Sequence, residues 1–287
     1  MQSFIYHPAL SSDSAVVFAS PHSGRNYTPE FLASSMLEPV VLRSSEDAYV
    51  DCFLRKAPEA GAAVLLGGVP RAYVDYNRAA TELDPALIAG VSSRRLNPRI
   101  SSGLGVIPRV VAGGRTIYRG KLSLAEAEKR LQLYWHPYHD KLTTILAEKR
   151  ARHGRVILLD MHSMPRDAIS MNGQHSTLRP DIVLGDRFGA SAHSAITEAV
   201  ASIFAEAGFR VARNSPFAGA YITQRHGLPS IGQHAIQIEI DRGLYLDERR
   251  VAPNASFESF CAVMERIVSK LSGLGRDPGI QLPLAAE

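Results

Sequence analysis

Two histidines stand where apolar runs end. Pro21-His22-Ser23-Gly24 follows the run AVVFAS (Ala15–Ser20), and Met161-His162-Ser163-Met164-Pro165 follows VILLD (Val156–Asp160). Glu239 sits inside a third apolar run, AIQIEI (Ala235–Ile240), with Asp241 behind it. Imidazole nitrogens and a carboxylate oxygen make a metal site with an open water position, and a separate carboxylate takes the water's proton. A single histidine at a strand end is commonly a capping or packing residue. A glutamate in a buried strand is harder to dismiss, because an unpaired buried carboxylate is costly. Glu239 must pair with a cation, bind a metal or stay protonated, and each of these also suits a catalytic group. The third ligand should be acidic, and the stretch SEDAYVD (Ser45–Asp51) offers Glu46, Asp47 and Asp51. The plain alternative for these acids is a solvated helix start, where the helix dipole favours negative charge.

Around these groups lie residues suited to gripping an anion. In VPRAYVDYNR (Val69–Arg78), positions 71, 73 and 75 share one face of a strand, with Asn77 and Arg78 at its end. Arg71, Asn77 and Arg78 there could hold a substrate carboxylate and polarise a carbonyl. In AGAYITQRHG (Ala218–Gly227), an extended chain puts Tyr221, Thr223 and Arg225 on one face, where they could line a polar pocket. His136 and His139 form an i, i+3 pair that reads as helix-surface groups or as supports behind the site. No GxSxG elbow occurs, which argues against a serine hydrolase.

The elements that must position these residues are those of an α/β protein. The three runs above, together with Ala62–Leu66 and Ile182–Leu184, read as buried strands. Between them a long helical pattern starts at Ser123, with Glu126 three residues on, and stops at Gly154; Pro137 inside it predicts a kink or a break. Further helices are expected over about 191–207 and 256–271. The segment from about 79 to 121, rich in Arg, Gly, Ser and Pro, reads as a long loop excursion over the surface, and 272–287 as an irregular tail. No linker or internal repeat divides the chain, so a single α/β domain over 1–287 is expected. Ligands in such sheets sit at the carboxyl ends of the strands, where both histidines fall.

Composition narrows the class. With 287 residues, 45% hydrophobic and 21% charged, the chain is globular rather than disordered. No run of about 20 apolar residues is available to span a membrane. The start, MQSFIYHPALSSDS, lacks a basic segment followed by a long apolar run, so a cytoplasmic protein without a signal peptide is expected. Cys52 and Cys261 have no CxxC partner, leaving two reduced thiols as the expectation. The net charge of +4 comes with 26 Arg against 6 Lys, but the arginines are scattered and no nucleic-acid motif is present. No nucleic-acid partner is expected.

Eight motifs occur in one order: PHSG, EDAYVD, VDYNR, IYRGKL, YWHPYHDKL, DMHSMP, GAYIT and HAIQIEID. In these the chain resembles the N-formylglutamate amidohydrolase family, over residues from about 15 to 250. The resemblance implies a zinc-carboxypeptidase-like architecture, a central mixed sheet flanked by helices, similar in its metal logic to aspartoacylases and peptidoglycan amidases. It implies hydrolysis of N-formyl-L-glutamate to formate and L-glutamate, a late step of histidine degradation, with Zn²⁺ or another divalent metal as cofactor. His22 and His162 match the expected metal ligands, Asp47 is the favoured acidic ligand ahead of Glu46 and Asp51, and Glu239 matches the general base. VDYNR resembles the DxNR motif of aspartoacylases, which carries substrate binding to Asn77 and Arg78. The partner implied is a small anionic N-acyl amino acid. One departure stands out: the family commonly shows Gly-Gly-Tyr-Ile-Thr followed directly by a basic residue, whereas here Gln224 follows Thr223 and Arg225 comes one place late. Two other functions fit the same residues: an amidase for another N-acyl amino acid or a small peptide, and a non-catalytic metal-dependent binding protein, against which Glu239 argues.

Overall fold

A computed structural model of the chain describes residues 2–11, 13–92, 98–169 and 179–276. Its centre is a seven-stranded mixed sheet. The strands are β1 (Phe4–His7), β2 (Val16–Ser20), β3 (Ala63–Gly67), β4 (Val156–Met164), β5 (Ile182–Gly185), β6 (Val211–Arg213) and β7 (Gln233–Asp241), in the spatial order β1-β3-β2-β4-β7-β5-β6. β3, β2, β4 and β7 run parallel; β1 at one edge and the β5–β6 pair at the other run against them. The carboxyl ends of the four parallel strands therefore open on one side of the sheet.

Alternation along the central strands feeds two apolar layers, because successive side chains point to opposite faces. Val16, Phe18, Ile157, Leu159, Met161, Ile236, Ile238 and Ile240 belong to one layer. Val17, Ala19, Leu158 and Ala235 belong to the other. Toward the carboxyl ends this second face turns polar: Asp160 and His162 on β4 lie beside Gln237 and Glu239 on β7, with His162 paired to Glu239 in the register. The sheet thus gathers Asp160, His162, Gln237 and Glu239 on one face, while the other stays apolar up to Ser20 and Ser163 near the strand ends.

The first layer is closed by α3 (Ser194–Glu206) and α5 (Phe257–Leu274). Along α5, Phe260, Met264, Ile267, Val268 and Leu271 recur at helical spacing and are buried; each such side chain stabilises by about 1.5–3 kcal/mol relative to exposure. α5 extends to Leu274, three residues past the end expected from sequence, so the irregular tail begins later than 272; residues 277–287 lie outside the described residues. α3 begins at Ser194 rather than 191, because the His193 side chain accepts the Ala195 N–H and caps it there.

The second layer is closed by the long helical pattern after Ser123, whose hydroxyl accepts the Glu126 N–H. It consists of α1 (Leu124–Arg130) and α2 (His136–His153), joined without a break by a π turn over Leu131–Trp135. Pro137 explains the turn: it has no N–H to give to the preceding turn, and the bond is made one residue wider, from His136 N–H to Leu131 O. Gly154 ends the helix with φ 71°.

The excursion over 79–121 has little regular structure, apart from a helical turn at Pro98–Ser101 and a two-stranded ribbon of Val110–Val111 with Arg115–Thr116. It does more than cover the surface. Ile88, Ile107 and Ile117 are fully buried in the second layer, because the segment carries enough apolar side chains to form part of the core. Residues 93–97 of it lie outside the described residues.

Candidate metal centre

Three side chains from three separate segments converge beyond the carboxyl ends of β2 and β4. The ligand atoms offered by His22, Asp47 and His162 all lie within 4.8 Å of one another, and all three residues are buried. His22 is carried by the loop after β2. Gly24 in that loop must be glycine, since a Cβ there would stand 2.4 Å from the Val69 carbonyl oxygen in the loop after β3. His162 is the penultimate inward residue of β4. Asp47 comes from an irregular segment after the short 3-10 turn Arg43–Ser45, and its N–H donates to His22 O.

Each histidine is oriented by a second carboxylate. His22 Nε2 lies 2.7 Å from Asp75 Oδ1, and His162 Nε2 lies 2.9 Å from Asp160 Oδ2. With the protons on Nε2, both imidazoles turn Nδ1 lone pairs inward. These meet Asp47 Oδ2 at 3.4 Å from His22 and 2.9 Å from His162. His22 Nδ1 is buried and makes no hydrogen bond among the described residues. Two nitrogen lone pairs and a carboxylate oxygen facing one point repel one another unless a cation stands between them. The N₂O donor set fits Zn²⁺ or another divalent ion of that class.

Without a cation, the charges of the cluster act on one another. Burial pushes the Asp47 carboxyl up, but His162 and His22 outweigh it and hold the group well below the usual carboxylate range. Burial pushes His162 down, and Asp160 with Asp47 more than reverses this. Asp75 is likewise disfavoured as an anion by burial, yet His22, Arg71 and Arg78 hold it well below its ordinary value. Glu239 goes the other way. Burial raises its pKa, with His162 opposing and Asp47 adding to the rise. Its Oε1 accepts from Gln237 Nε2 at 2.7 Å, and Gln237 is held in that orientation because its own oxygen accepts the Ala220 N–H at 2.9 Å.

Asp47 is the acid brought to the histidines. Glu46 points away to Arg43, 3.1 Å from its Nε, and Asp51 pairs with Arg25. The centre forms the floor of a cleft of about 790 Å³, whose walls include Arg71, Asn77, Arg78, Glu239 and the excursion's Val110–Gly114.

The N-formylglutamate amidohydrolase model matches residues 14–246. The chain belongs to this family. It is 28% identical over 271 residues to the N-formylglutamate deformylase of Pseudomonas aeruginosa, covering 91% of this chain and 94% of that one. It is 26% identical over 237 residues to the N-formylglutamate deformylase of Pseudomonas putida, covering 81% and 82%. Among solved structures, the N-formylglutamate amidohydrolase of Ralstonia eutropha JMP134 superposes with a TM-score of 0.88 at 31% identity, over 95% of this chain and 98% of that one.

Within this family member, several residues stand differently from their sequence-based placement. Arg71–Arg78 is not a strand. The N–H groups of Tyr73 and Val74 both reach back to Pro70 O, forming a turn, and Arg71 Nε binds Asp75 Oδ2 at 3.0 Å across it. Arg71, Asn77 and Arg78 still reach the cleft. Arg78 is buried, its Nη1 on Asn77 O at 2.7 Å and its Nε on Leu104 O at 3.1 Å. Asn77 ties the site together: its Oδ1 accepts the Ile222 N–H at 2.8 Å, and its Nδ2 lies 3.4 Å from Asp160 Oδ2.

Tyr221, Thr223 and Arg225 do not share an extended face, because Tyr221–His226 is a helix, α4. Tyr221 packs on Trp135 and His139, Thr223 is buried with its hydroxyl on Ala220 O, and Arg225 is exposed. The residues of this stretch that line the cleft are Ala218, Gly219 and Ala220. Gly219 has φ 109°, and a Cβ there would stand 2.5 Å from Thr223 Oγ1, so the turn into α4 requires glycine. His139 is buried rather than on the helix surface; its Nε2 is 2.9 Å from Tyr76 O, and Trp135 Nε1 donates to Arg78 O at 2.9 Å. The π turn and α2 thereby hold the loop that carries Asn77 and Arg78.

Proposed function

We propose that this chain is a metal-dependent amidohydrolase that cleaves N-formyl-L-glutamate to formate and L-glutamate, in the cytoplasm and late in histidine degradation. The observation that carries the proposal is the convergence of His22, Asp47 and His162 at one point, with Glu239 lining the same cleft. A divalent cation held by those three residues, with Zn²⁺ the best match to the donors, would polarise the formyl carbonyl and acidify the attacking water. Glu239 takes a proton from that water as its oxygen attacks the formyl carbon. The same proton passes from Glu239 to the amide nitrogen as the carbon–nitrogen bond breaks, releasing formate and the free amino group. The raised pKa of Glu239 suits both halves of that transfer. Arg71, held by Asp75, and Arg78, held by two carbonyls, present guanidinium groups to the substrate's carboxylates, with Asn77 fixing the loop between them.

The test is formate release from N-formyl-L-glutamate by purified protein, after chelation and again after Zn²⁺ is restored. Release that disappears and returns with the metal is expected. No release from protein that takes up one metal per chain would reject the substrate and keep the centre. A second proposal draws on the size of the cleft, about 790 Å³, which is generous for so small a substrate. It is an amidase for a bulkier N-acyl amino acid, and a panel of acyl chains separates the two by their kcat/KM.

A further inference from the structure

Arg242 follows β7 directly, three residues after Glu239, and its side chain is buried at the edge of the cleft. Every nitrogen of its guanidinium is engaged. Nε donates to Ser163 Oγ at 3.0 Å, Nη1 to Ser44 O at 3.1 Å, and Nη2 to Glu46 O at 2.6 Å and Asp47 Oδ1 at 3.1 Å. Ser163, adjacent to His162, completes the arrangement by donating its own hydroxyl to Asp47 Oδ1 at 3.0 Å. The two oxygens of Asp47 are therefore divided: Oδ1 is occupied by two donors, and Oδ2 alone faces the Nδ1 atoms of His22 and His162.

We propose that Arg242 is a positioning residue of the metal centre, which restricts Asp47 to one-oxygen ligation through Oδ2 and fastens the segment 44–47 to the end of β7. The inference rests on the metal centre of the proposed function, not on its substrate. The geometry calls for such a device. Asp47 is the ligand carried neither on a strand nor in the loop directly after one, and a carboxylate on an irregular segment is free to rotate and offer both oxygens to a cation. Two donors on Oδ1 remove that freedom. The two carbonyl bonds to residues 44 and 46 fix the backbone on which Asp47 stands. A guanidinium suits the task because its planar fork reaches a carboxylate, a hydroxyl and two carbonyls at once, which an ammonium cannot do from one position. Supports of this kind behind a ligand typically change metal affinity 10–100-fold.

The experiment compares wild type, Arg242→Met, Arg242→Lys and Ser163→Ala by Zn²⁺ affinity, measured by competition with a chromophoric chelator, and by the visible spectrum of each protein loaded with Co²⁺. Arg242→Met is expected to bind Zn²⁺ about 10–100-fold more weakly, with weaker Co²⁺ bands as Asp47 adds its second oxygen and the coordination number rises. Arg242→Lys should recover only part of the affinity, and Ser163→Ala should weaken binding several-fold with the same change in spectrum. Wild-type affinity and an unchanged Co²⁺ spectrum in Arg242→Met overturn the proposal, since a purely structural ion pair would leave the metal's coordination alone. Should Arg242→Met fail to fold by circular dichroism, Ser163→Ala decides, and its wild-type behaviour overturns the proposal equally. Wild-type protein that takes up no metal rejects the centre and this inference together. Metal uptake without formate release rejects only the substrate.

Discussion

At the scale of single residues, the site separates groups meant to be charged from one meant to change charge. Asp47 and Asp75 are held as anions by the histidines and arginines around them, whereas Glu239, equally buried, has its pKa raised. Replacing Glu239 with Gln keeps the size and keeps an oxygen for Gln237 to donate to, but removes the basic group. Glu239→Gln is expected to bind metal like wild type and to lose about 10²–10⁴-fold in kcat; parallel measurement of metal content and turnover checks this, and retained turnover would remove Glu239 from the proton transfer. Which residues were legible beforehand follows from their surroundings. His22, His162 and Glu239 are visible as polar residues at the end of, or within, apolar runs, and it is their occurrence together with nearby acids, rather than any one of them, that points to a metal. Asp75 and Asp160, which orient the two histidines, were passed over although each leaves a trace. Asp160 precedes His162 by two residues on one strand face, and Asp75 stands two before Asn77. Arg242 left no such trace, because its partners come from residues 44–47 and 163, and only the fold shows that these meet.

At the scale of elements, the strongly apolar strands were legible and the short ones were not. β4 and β7 are buried along their whole length and read plainly, although each is longer than its apolar run: β4 continues through His162 to Met164, and β7 starts two residues earlier at Gln233 and ends at Asp241. β1 and β6 are edge strands of four and three residues, too short to show a period. The segment 71–78 alternates in polarity like a strand, and 221–226 is too short to show a period, yet they fold as a turn and a helix, since over so few residues tertiary bonds decide. The contact between α2 and α4 carries its own prediction. Burial pushes His139 down to about 3, with His226 adding to the effect, and pushes His226 down to about 4. Both values lie below the ordinary histidine value near 6.5. Between those limits the unfolded chain binds more protons than the folded one, so stability is complete above pH about 6.5 and falls as the pH drops. The slope is at most about 1.4 kcal/mol per pH unit for each histidine. Urea midpoints at pH 7, 6 and 5 should decline accordingly, and His226→Gln should flatten the decline. An unchanged slope in that variant would mean that His226 titrates normally in the folded protein.

At the scale of the whole molecule, the candidate ligands come from residues 22, 47 and 162, brought together only by the folded sheet and the loops at its carboxyl ends. The unfolded chain has no comparable site, so a metal held there as proposed would stabilise the fold directly. At free metal one hundred times its dissociation constant, the gain is about 2.7 kcal/mol, which for a chain of this size corresponds to a rise in Tm of roughly 4–5 °C. Thermal unfolding with chelator and with added Zn²⁺ measures it; identical midpoints would show that the centre binds no metal of consequence. No helix among the described residues is long and apolar enough to cross a membrane.

The pairing of β2 with β4 joins residues 16–19 to 157–160, and β4 in turn lies against 233–241. A growing polypeptide on the ribosome therefore makes His22 and Asp47 early and holds them without their partner while more than a hundred further residues are added. His162 then waits for β7, the strand that flanks β4 and brings Glu239. A product truncated ahead of β7 would contain all three candidate ligands and still lack the neighbour strand that completes their sheet.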